Sequence, residues 1–450
     1  MLNMKKLLAA LLAFVMVLSM AACAPGETEP STEASQESTE ESVEATEGLP
    51  RDYEVPADAA IAKLPKYTYD GFLSLWDEEE GAHLLRFQTE NSDGYKAYQD
   101  DLKKAGFELY DEHTIVDNLY ATWTSDEVTA TTMYVPSLNE VRIIAEPKGA
   151  LAPRESDNVY EDKGVEPVMA MVGTHYKSGK DNGMCFVFRL ADGSFIIEDS
   201  GHNAKDQSKA IYDTLCELAP DKDNIVIAAW IISHFHGDHT GGFYNFTKNY
   251  SDKVTIEKFI WNYPTEQTFN MNDQILTQKV NMLSYVQSYP DAQIIEAHPG
   301  QVYYIRNMKF EMLSTLDLLP WQDVPFFNNT SLVLRMEFAG NVITMMGDCG
   351  PVEAGILLNA YGDYLKTDIL QVTHHGYLGA SAELNATLNP TVALWPVSKV
   401  HHTSYKYEEH NKPLLDVEHT YVAGTSVTVL PLPYNADSVY TWVQYDWNTK

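Results

Sequence analysis

The chain has few cysteines, few basic residues and, past its first 22 residues, no long apolar run. Of 450 residues four are cysteines, Cys23, Cys185, Cys216 and Cys349. Setting Cys23 aside leaves an odd number, which gives no disulfide framework. Cys185, in a strand-like run, and Cys216, on a helical one, read as buried small hydrophobes. Cys349 reads as a packed thiol. Lysine and arginine number 31 against 64 acidic residues, a net charge of −33. Nucleic-acid binding ordinarily needs a basic footprint, so long nucleic acid is not an expected partner. A local cluster such as Lys399, His401, His402 and Lys406 reads as a solvated loop, with an anion site as the alternative. No stretch after the leader approaches the ~20 apolar residues of a membrane-spanning helix.

What is present begins with a leader. Lys5 and Lys6 precede the apolar run Leu7 to Leu18, the pattern of a secretory signal over residues 1–22. It closes on Met20-Ala21-Ala22-Cys23, which resembles a bacterial lipoprotein cleavage box, with Met20 where such boxes more often carry Leu. The resemblance implies cleavage before Cys23, lipidation of its thiol, and an extracytoplasmic protein tethered to the cell membrane. Residues 24–50 hold eight glutamates and no Lys or Arg. Such a segment cannot bury a core, so residues 23–50 are expected to be an acidic, disordered tether.

Two folded regions are expected in what remains. Over 51–150 strand-like and helical runs alternate. Tyr95, Tyr98 and Leu102 share one face of a helix over Asp93 to Ala105 that Gly106 ends. This is a small α+β module without a cluster of His, Asp and Cys, and a structural or recognition role is expected of it. Pro147 to Pro153 is the expected hinge. From 154 to 450 short apolar strands and amphipathic helices fit two sheets flanked by helices. Ser331 to Phe338 and Val342 to Met346 read as a hairpin turned at Gly340-Asn341.

The strongest signal is Ser233-His234-Phe235-His236-Gly237-Asp238-His239-Thr240-Gly241-Gly242, directly after the apolar strand Ile225 to Ile232. In a turn leaving a strand, His234 and His236 can aim at one cation, and Asp238 and His239 at a second beside it. Neutral imidazole and carboxylate suit zinc and similar divalent ions. Gly241-Gly242 lets the backbone pack closely afterwards. Three further clusters end strand-like runs. Asp199 is expected to orient the histidine loop rather than touch metal. Asp348 is expected to bridge two cations, and His374 to be a ligand.

These residues, Asp199-Ser200-Gly201, the histidine run, Gly347-Asp348 and His374, resemble the metallo-β-lactamase superfamily over about 155–435. The resemblance implies an αββα sandwich and a crevice for one or two divalent metal ions, zinc first and manganese second. Asn328 to Leu334, Gly347-Asp348 and Val372-Thr373-His374-His375-Gly376 are similar to the hydrolase domain of competence DNA-uptake channel proteins, with Leu394 to Ser398 and Asn411-Lys412-Pro413 as weaker support. One departure stands out. Many members add a histidine after the helix that follows the run. Here only His298 lies between His239 and Asp348, at a turn that reads as structural, so the first site is expected to rest on His234, His236 and Asp348, with Asn329 or Ser331 as further candidates.

The expected chemistry is hydrolysis by an activated water. Asp238 fixes the second ion, and His375 holds an anionic group or protonates the leaving group. A phosphodiester of small or envelope-derived origin is the first substrate class. An amide, lactam or lactone is the second. A surface lipoprotein that binds without turnover, its 27 tyrosines serving cell-wall recognition, is the alternative of another kind.

Overall fold

The computed structural model of the protein describes residues 49–173, 183–262, 264–266, 268, 273–322, 324 and 326–443. The leader, Cys23 and the tail up to residue 48 lie outside them. Among the described residues the chain forms three sheets. Strands β1 (Gly71–Asp77), β2 (His83–Gln88), β3 (Glu108–Ile115), β4 (Asn118–Thr124), β5 (Val128–Val135) and β6 (Glu140–Pro147) make the first, ordered β1-β2-β6-β5-β4-β3 and antiparallel throughout. Helix α1 (Asp93–Lys104) lies on it and buries Tyr95, Tyr98 and Leu102, the stripe expected from their spacing.

The second sheet takes β7 (Val168–Met171), β8 (Phe186–Arg189), β9 (Phe195–Glu198), β10 (Ile225–Ile231), β11 (Val254–Ile256), β12 (Lys258–Trp261) and β13 (Gln293–Glu296). The third takes β14 (Val302–Ile305), β15 (Met308–Ser314), β16 (Val333–Phe338), β17 (Asn341–Met345), β18 (Ile369–Gln371), β19 (Val392–Trp395) and β20 (His419–Val422). Strands β21 (Ser426–Pro431) and β22 (Tyr440–Val443) return to the second sheet beside β7. The hairpin of β16 and β17 turns at Ala339-Gly340, one residue earlier than expected, because Phe338 pairs with Asn341. Both turn residues have positive φ, at 47° and 81°, as a two-residue hairpin of this twist requires.

The two sheets face each other across one apolar core. Phe186, Phe188, Ile196 and Ile231 of the second meet Phe310, Met312, Leu334, Met336 and Ile369 of the third. Strand β10 also faces outward with Ile227 and Trp230, which pack under α2 (Lys205–Leu218) and α3 (Gly237–Tyr250) through Ile211, Leu215, Phe243 and Phe246. Burial on both faces explains why β10 reads as an unbroken apolar run. Helix α4 (Asp273–Val286) adds Met282 and Val286 to that layer. On the far side, α5 (Pro351–Tyr361) and α6 (Ala382–Leu388) cover β18 and β19. The order is helix, sheet, sheet, helix: an αββα sandwich, with an N-terminal sheet added. No helix among the described residues is long and apolar enough to cross a membrane.

The N-terminal sheet is packed on both faces. One face covers α1. The other places Leu84, Tyr120, Met133 and Ile144 in the same core as Leu357, Ala360 and Tyr361 of α5. The stretch expected to hinge is tied down, since Tyr110 Oη donates to Ala152 O at 2.8 Å and Tyr304 N to Pro153 O at 2.8 Å. At the seam sits a buried charge triad. Glu140 receives Arg86 Nη2 at 2.5 Å and Arg142 Nε at 2.8 Å. The guanidiniums then donate across the seam, Arg86 to Pro320 O at 2.6 Å and Arg142 to Leu319 O at 3.0 Å and to Asp317 O. Removing one member of such a set strands the others. Arg142→Ala is expected to lower stability by about 3–5 kcal/mol in urea unfolding, whereas Lys63→Ala, which breaks the exposed Lys63–Glu127 pair, leaves the midpoint in place. An unchanged midpoint for Arg142→Ala counts against the triad as the seam's anchor.

Candidate metal centre

The parallel strands β9, β10 and β12 end at one edge of the second sheet, and β17 and β18 end opposite on the third. The loops leaving these ends meet in one crevice. From β10 come Ser233, His234 and His236, with Asp238 and His239 opening α3. Asp348 follows β17, and Thr373 to Gly376 follow β18.

Close backbone approach makes the histidine loop possible. A Cβ at Gly242 would lie 1.9 Å from Ser200 O, so α3 can rest on the Asp199-Ser200-Gly201 turn only with glycine there. The turn returns the support. Ser233 N and Oγ donate to Asp199 at 2.8 and 2.6 Å, and Ser200 Oγ donates to His239 O at 2.8 Å. His239 Nδ1 lies 2.6 Å from Asp199 Oδ2. A carboxylate there takes the Nδ1 hydrogen and turns Nε2 into the crevice. His375 is held alike, its Nδ1 donating to Pro396 O at 3.0 Å.

Asp348 is the hub. It is 1 % exposed. Its Oδ1 lies 3.2 Å from His239 Nε2 and 3.4 Å from His375 Nε2, and its Oδ2 lies 3.6 Å from both His234 Nε2 and His374 Nε2. Asn328 Nδ2 donates to Oδ2 at 2.9 Å, and Asp348 N donates to Ser331 Oγ at 3.0 Å. Two groups have donor atoms all within 4.8 Å of one another: His234, His236 and Asp348 in one, Asp238, His239 and His375 in the other. Asp348 therefore offers one oxygen toward each.

The donor set fits divalent cations. His239 Nε2, His375 Nε2 and Asp348 Oδ1 are buried without a hydrogen-bond partner, a costly arrangement unless something satisfies them together. Burial holds His234 and His236 below the usual imidazole range, so both stay neutral, the form that ligates. Burial works the same way on His239, yet Asp348 and Asp199 prevail and hold it well above that range. Burial disfavours the Asp348 charge, but His239, His375 and His374 keep the carboxyl well below its usual range. The crevice thus calls for positive charge between Asp348 and its imidazoles.

The structure brings His234, His236, Asp238, His239, Asp348, His374 and His375 together. It differs from the sequence reading in the division of labour within the last pair. His375, expected to be the acid or anion holder, joins Asp238 and His239, its Nε2 being 3.4 Å from Asp238 Oδ2. His374, expected to be a ligand, belongs to neither group and leans over Asp348 from the open side. Adjacent residues reach one centre because both are left-handed, at φ 48° and 56°. Such strain costs of order 1–3 kcal/mol per residue and persists only where surroundings impose it. Gly376 O is gripped by Asn411 Nδ2 at 2.7 Å, and a Cβ at Gly376 would lie 2.3 Å from the Trp395 ring.

Other candidates fall outside the two groups. Asn329 Oδ1 receives Val352 N and Glu353 N at the start of α5, and Ser331 acts through the Asp348 backbone. Cys349 Sγ is buried against Gly350 O. Cys185 is buried as expected, whereas Cys216 is only half-buried, on the edge of the α2 stripe. His298 pairs with Asp317 at 2.8 Å, away from the crevice. Sequence reasoning missed Asn328, Ser233 and the Pro396 carbonyl as individual contacts, because nothing in their residue types reveals which strand end they face.

Comparison with known proteins places this geometry. Residues 178–386 match the Metallo-beta-lactamase superfamily. The chain carries a domain of that superfamily, whose members are mostly hydrolases. The chain is also 24 % identical over 241 residues to Recombination protein 2 of Haemophilus influenzae, covering 52 % of this chain and 26 % of that one. It thus spans about a quarter of that relative's length. Among solved structures, the metallo-beta-lactamase fold protein YhfI of Bacillus subtilis is 13 % identical over 62 % of this chain and 100 % of that one, with a TM-score of 0.36. CmlA, a diiron beta-hydroxylase from Streptomyces venezuelae, is 11 % identical over 59 % and 54 %, at 0.36. Yeast PDE1 is 12 % identical over 58 % and 98 %, at 0.34.

The two groups lead to a stoichiometry. Two equivalents of zinc or manganese are expected per chain in elemental analysis. His375→Ala is expected to lose one of them and His374→Ala to keep both. The reverse pattern restores the ligand order first read from the sequence.

Proposed function

We propose that the chain is an extracytoplasmic, lipid-anchored, metal-dependent hydrolase of a small or envelope-derived phosphodiester. The observation that carries the phosphodiester is a rim of rings and cations leaving the metal centre. His374 lies 5.6 Å from Tyr377, Tyr377 lies 5.3 Å from Tyr405, and Tyr405 stacks on His401 at 5.1 Å. Tyr405 and His401 belong to α7 (Lys399–Tyr405), which Lys399 opens and Lys406 follows. This is the basic cluster that read as a solvated loop. In a chain of net charge −33, a local excess of base next to the centre favours an anionic substrate, by steering as well as contact. The acidic remainder opposes a long polyanion.

Divalent cations at such a site polarise the attacked phosphoryl oxygen and make hydroxide available at neutral pH. The chain's own residues do the rest. Asp348 joins the two groups through its two oxygens. Asp199 and Pro396 O fix the rings of His239 and His375. Asp238, with His239 and His375, would hold the second ion. His374, on the open side, holds the anionic oxygen of the substrate. The leader and Cys23 support the anchor.

The test compares bis-p-nitrophenyl phosphate with a chromogenic lactam under added zinc or manganese. Phosphodiester turnover is expected. Asp348→Ala and His236→Ala are each expected to lower it on the order of 10³-fold with folding retained by circular dichroism. Lactam turnover instead supports the amide reading. Neither turnover nor bound metal supports a binding lipoprotein. Lys406→Ala is expected to raise KM several-fold with little change in kcat, and Cys23→Ser to release the protein from the membrane fraction.

A further inference from the structure

A cavity of about 260 Å³, with mixed polar and apolar walls, lies at the seam of the N-terminal sheet and the sandwich. Glu78, just past β1, and Glu146, in β6, come from the first sheet. Asn262 follows β12, His298 follows β13, and Asp317 follows β15. Its internal pairing is incomplete at two buried atoms, Asn262 Oδ1 and His298 Nε2. His298 Nδ1, Asn262 Nδ2 and Thr315 Oγ1 all converge on Asp317 Oδ2, at 2.8, 3.2 and 2.8 Å. Lys279 faces Glu79 Oε2 at 2.8 Å and Pro264 O at 2.9 Å. By contrast Asn262 Oδ1 has no hydrogen-bond partner, although Asn262 is only 8 % exposed. Carboxylates outnumber cations on the walls.

We propose that this cavity binds a small organic cation, a primary amine or guanidine, between the N-terminal sheet and the sandwich. The open atoms are an amide oxygen, Asn262 Oδ1, and an imidazole nitrogen, His298 Nε2, which lies 3.5 Å from Glu146 Oε2. A ligand that donates hydrogens to the amide oxygen and carries positive charge suits walls on which carboxylates outnumber cations. Burial and the nearby Asp317 push the Glu78 carboxyl up to about 8, as expected of an acid short of countercharge. A bare metal ion suits the cavity poorly. Among the described residues, the groups of three ligating atoms within 4.8 Å of one another lie in the metal centre, and none lies here. The space also exceeds what one ion fills. The cavity draws residues from both regions of the chain, so its occupant would pin the seam that the Arg86–Glu140–Arg142 triad also holds.

The test uses calorimetric titration and thermal melting of the purified, metal-loaded protein with putrescine and agmatine. Calcium chloride and 1,4-butanediol serve as controls. Saturable binding of an amine with a raised melting temperature is expected, and none with the diol. Glu78→Gln, and separately Glu146→Gln, are expected to weaken amine binding at least about tenfold, with metal content and phosphodiester turnover unchanged. No saturable amine binding overturns the proposal. So does binding that both variants retain, which places the amine elsewhere. Calcium binding that is stronger than amine binding and sensitive to Glu78→Gln replaces it with a metal-ion site.

Discussion

A single buried carboxylate, Asp348, faces four imidazole nitrogens at 3.2 to 3.6 Å, and the sandwich is arranged to bring that about. Like charges and lone pairs would drive such a cluster apart. Three members are held from behind: His239 by Asp199, His375 by the Pro396 carbonyl, Asp348 by Asn328 and the Ser331 hydroxyl. Those supports come from the ends of different strands. The apolar core between the sheets is what fixes the strand ends relative to one another. Chemistry at the crevice thus depends on packing well away from it.

Much of this was legible in the sequence. The histidine run after an unbroken apolar strand located the centre, and Gly241-Gly242 announced a close backbone approach, though not that its partner is the Asp199-Ser200-Gly201 turn. Strand ends carrying Asp199, Asp348 and His374 located the rest of the crevice. The order within His374-His375 was not legible. It depends on two consecutive left-handed residues, an uncommon backbone conformation held here by bonds such as His374 N to Gly347 O and His375 Nδ1 to Pro396 O. The basic cluster read as a solvated loop lies on and just after a short helix, α7, whose Tyr405 packs beside Tyr377, a neighbour that sequence distance hides.

The N-terminal sheet shows where composition stops being informative. Its strands and α1 could be read from alternation and from the Tyr95, Tyr98, Leu102 stripe. That its second face lies on α5 could not, because a face buried against another region has the same pattern as one buried against its own helix. Arg142 was equally silent. An arginine in a strand reads as exposed, whereas here it is 0 % exposed and bonded to carbonyls of the turn after β15.

That seam bears on how the chain can change over time. Leu357, Ala360 and Tyr361 of α5 are covered by Leu84, Tyr120, Met133 and Ile144. A descendant that shed its first 150 residues would bare an oily strip on the hydrolase and leave the carbonyls after Asp317 without their donors. A shorter, free-standing form of the sandwich would need polar residues along α5 where Leu357, Ala360 and Tyr361 now stand.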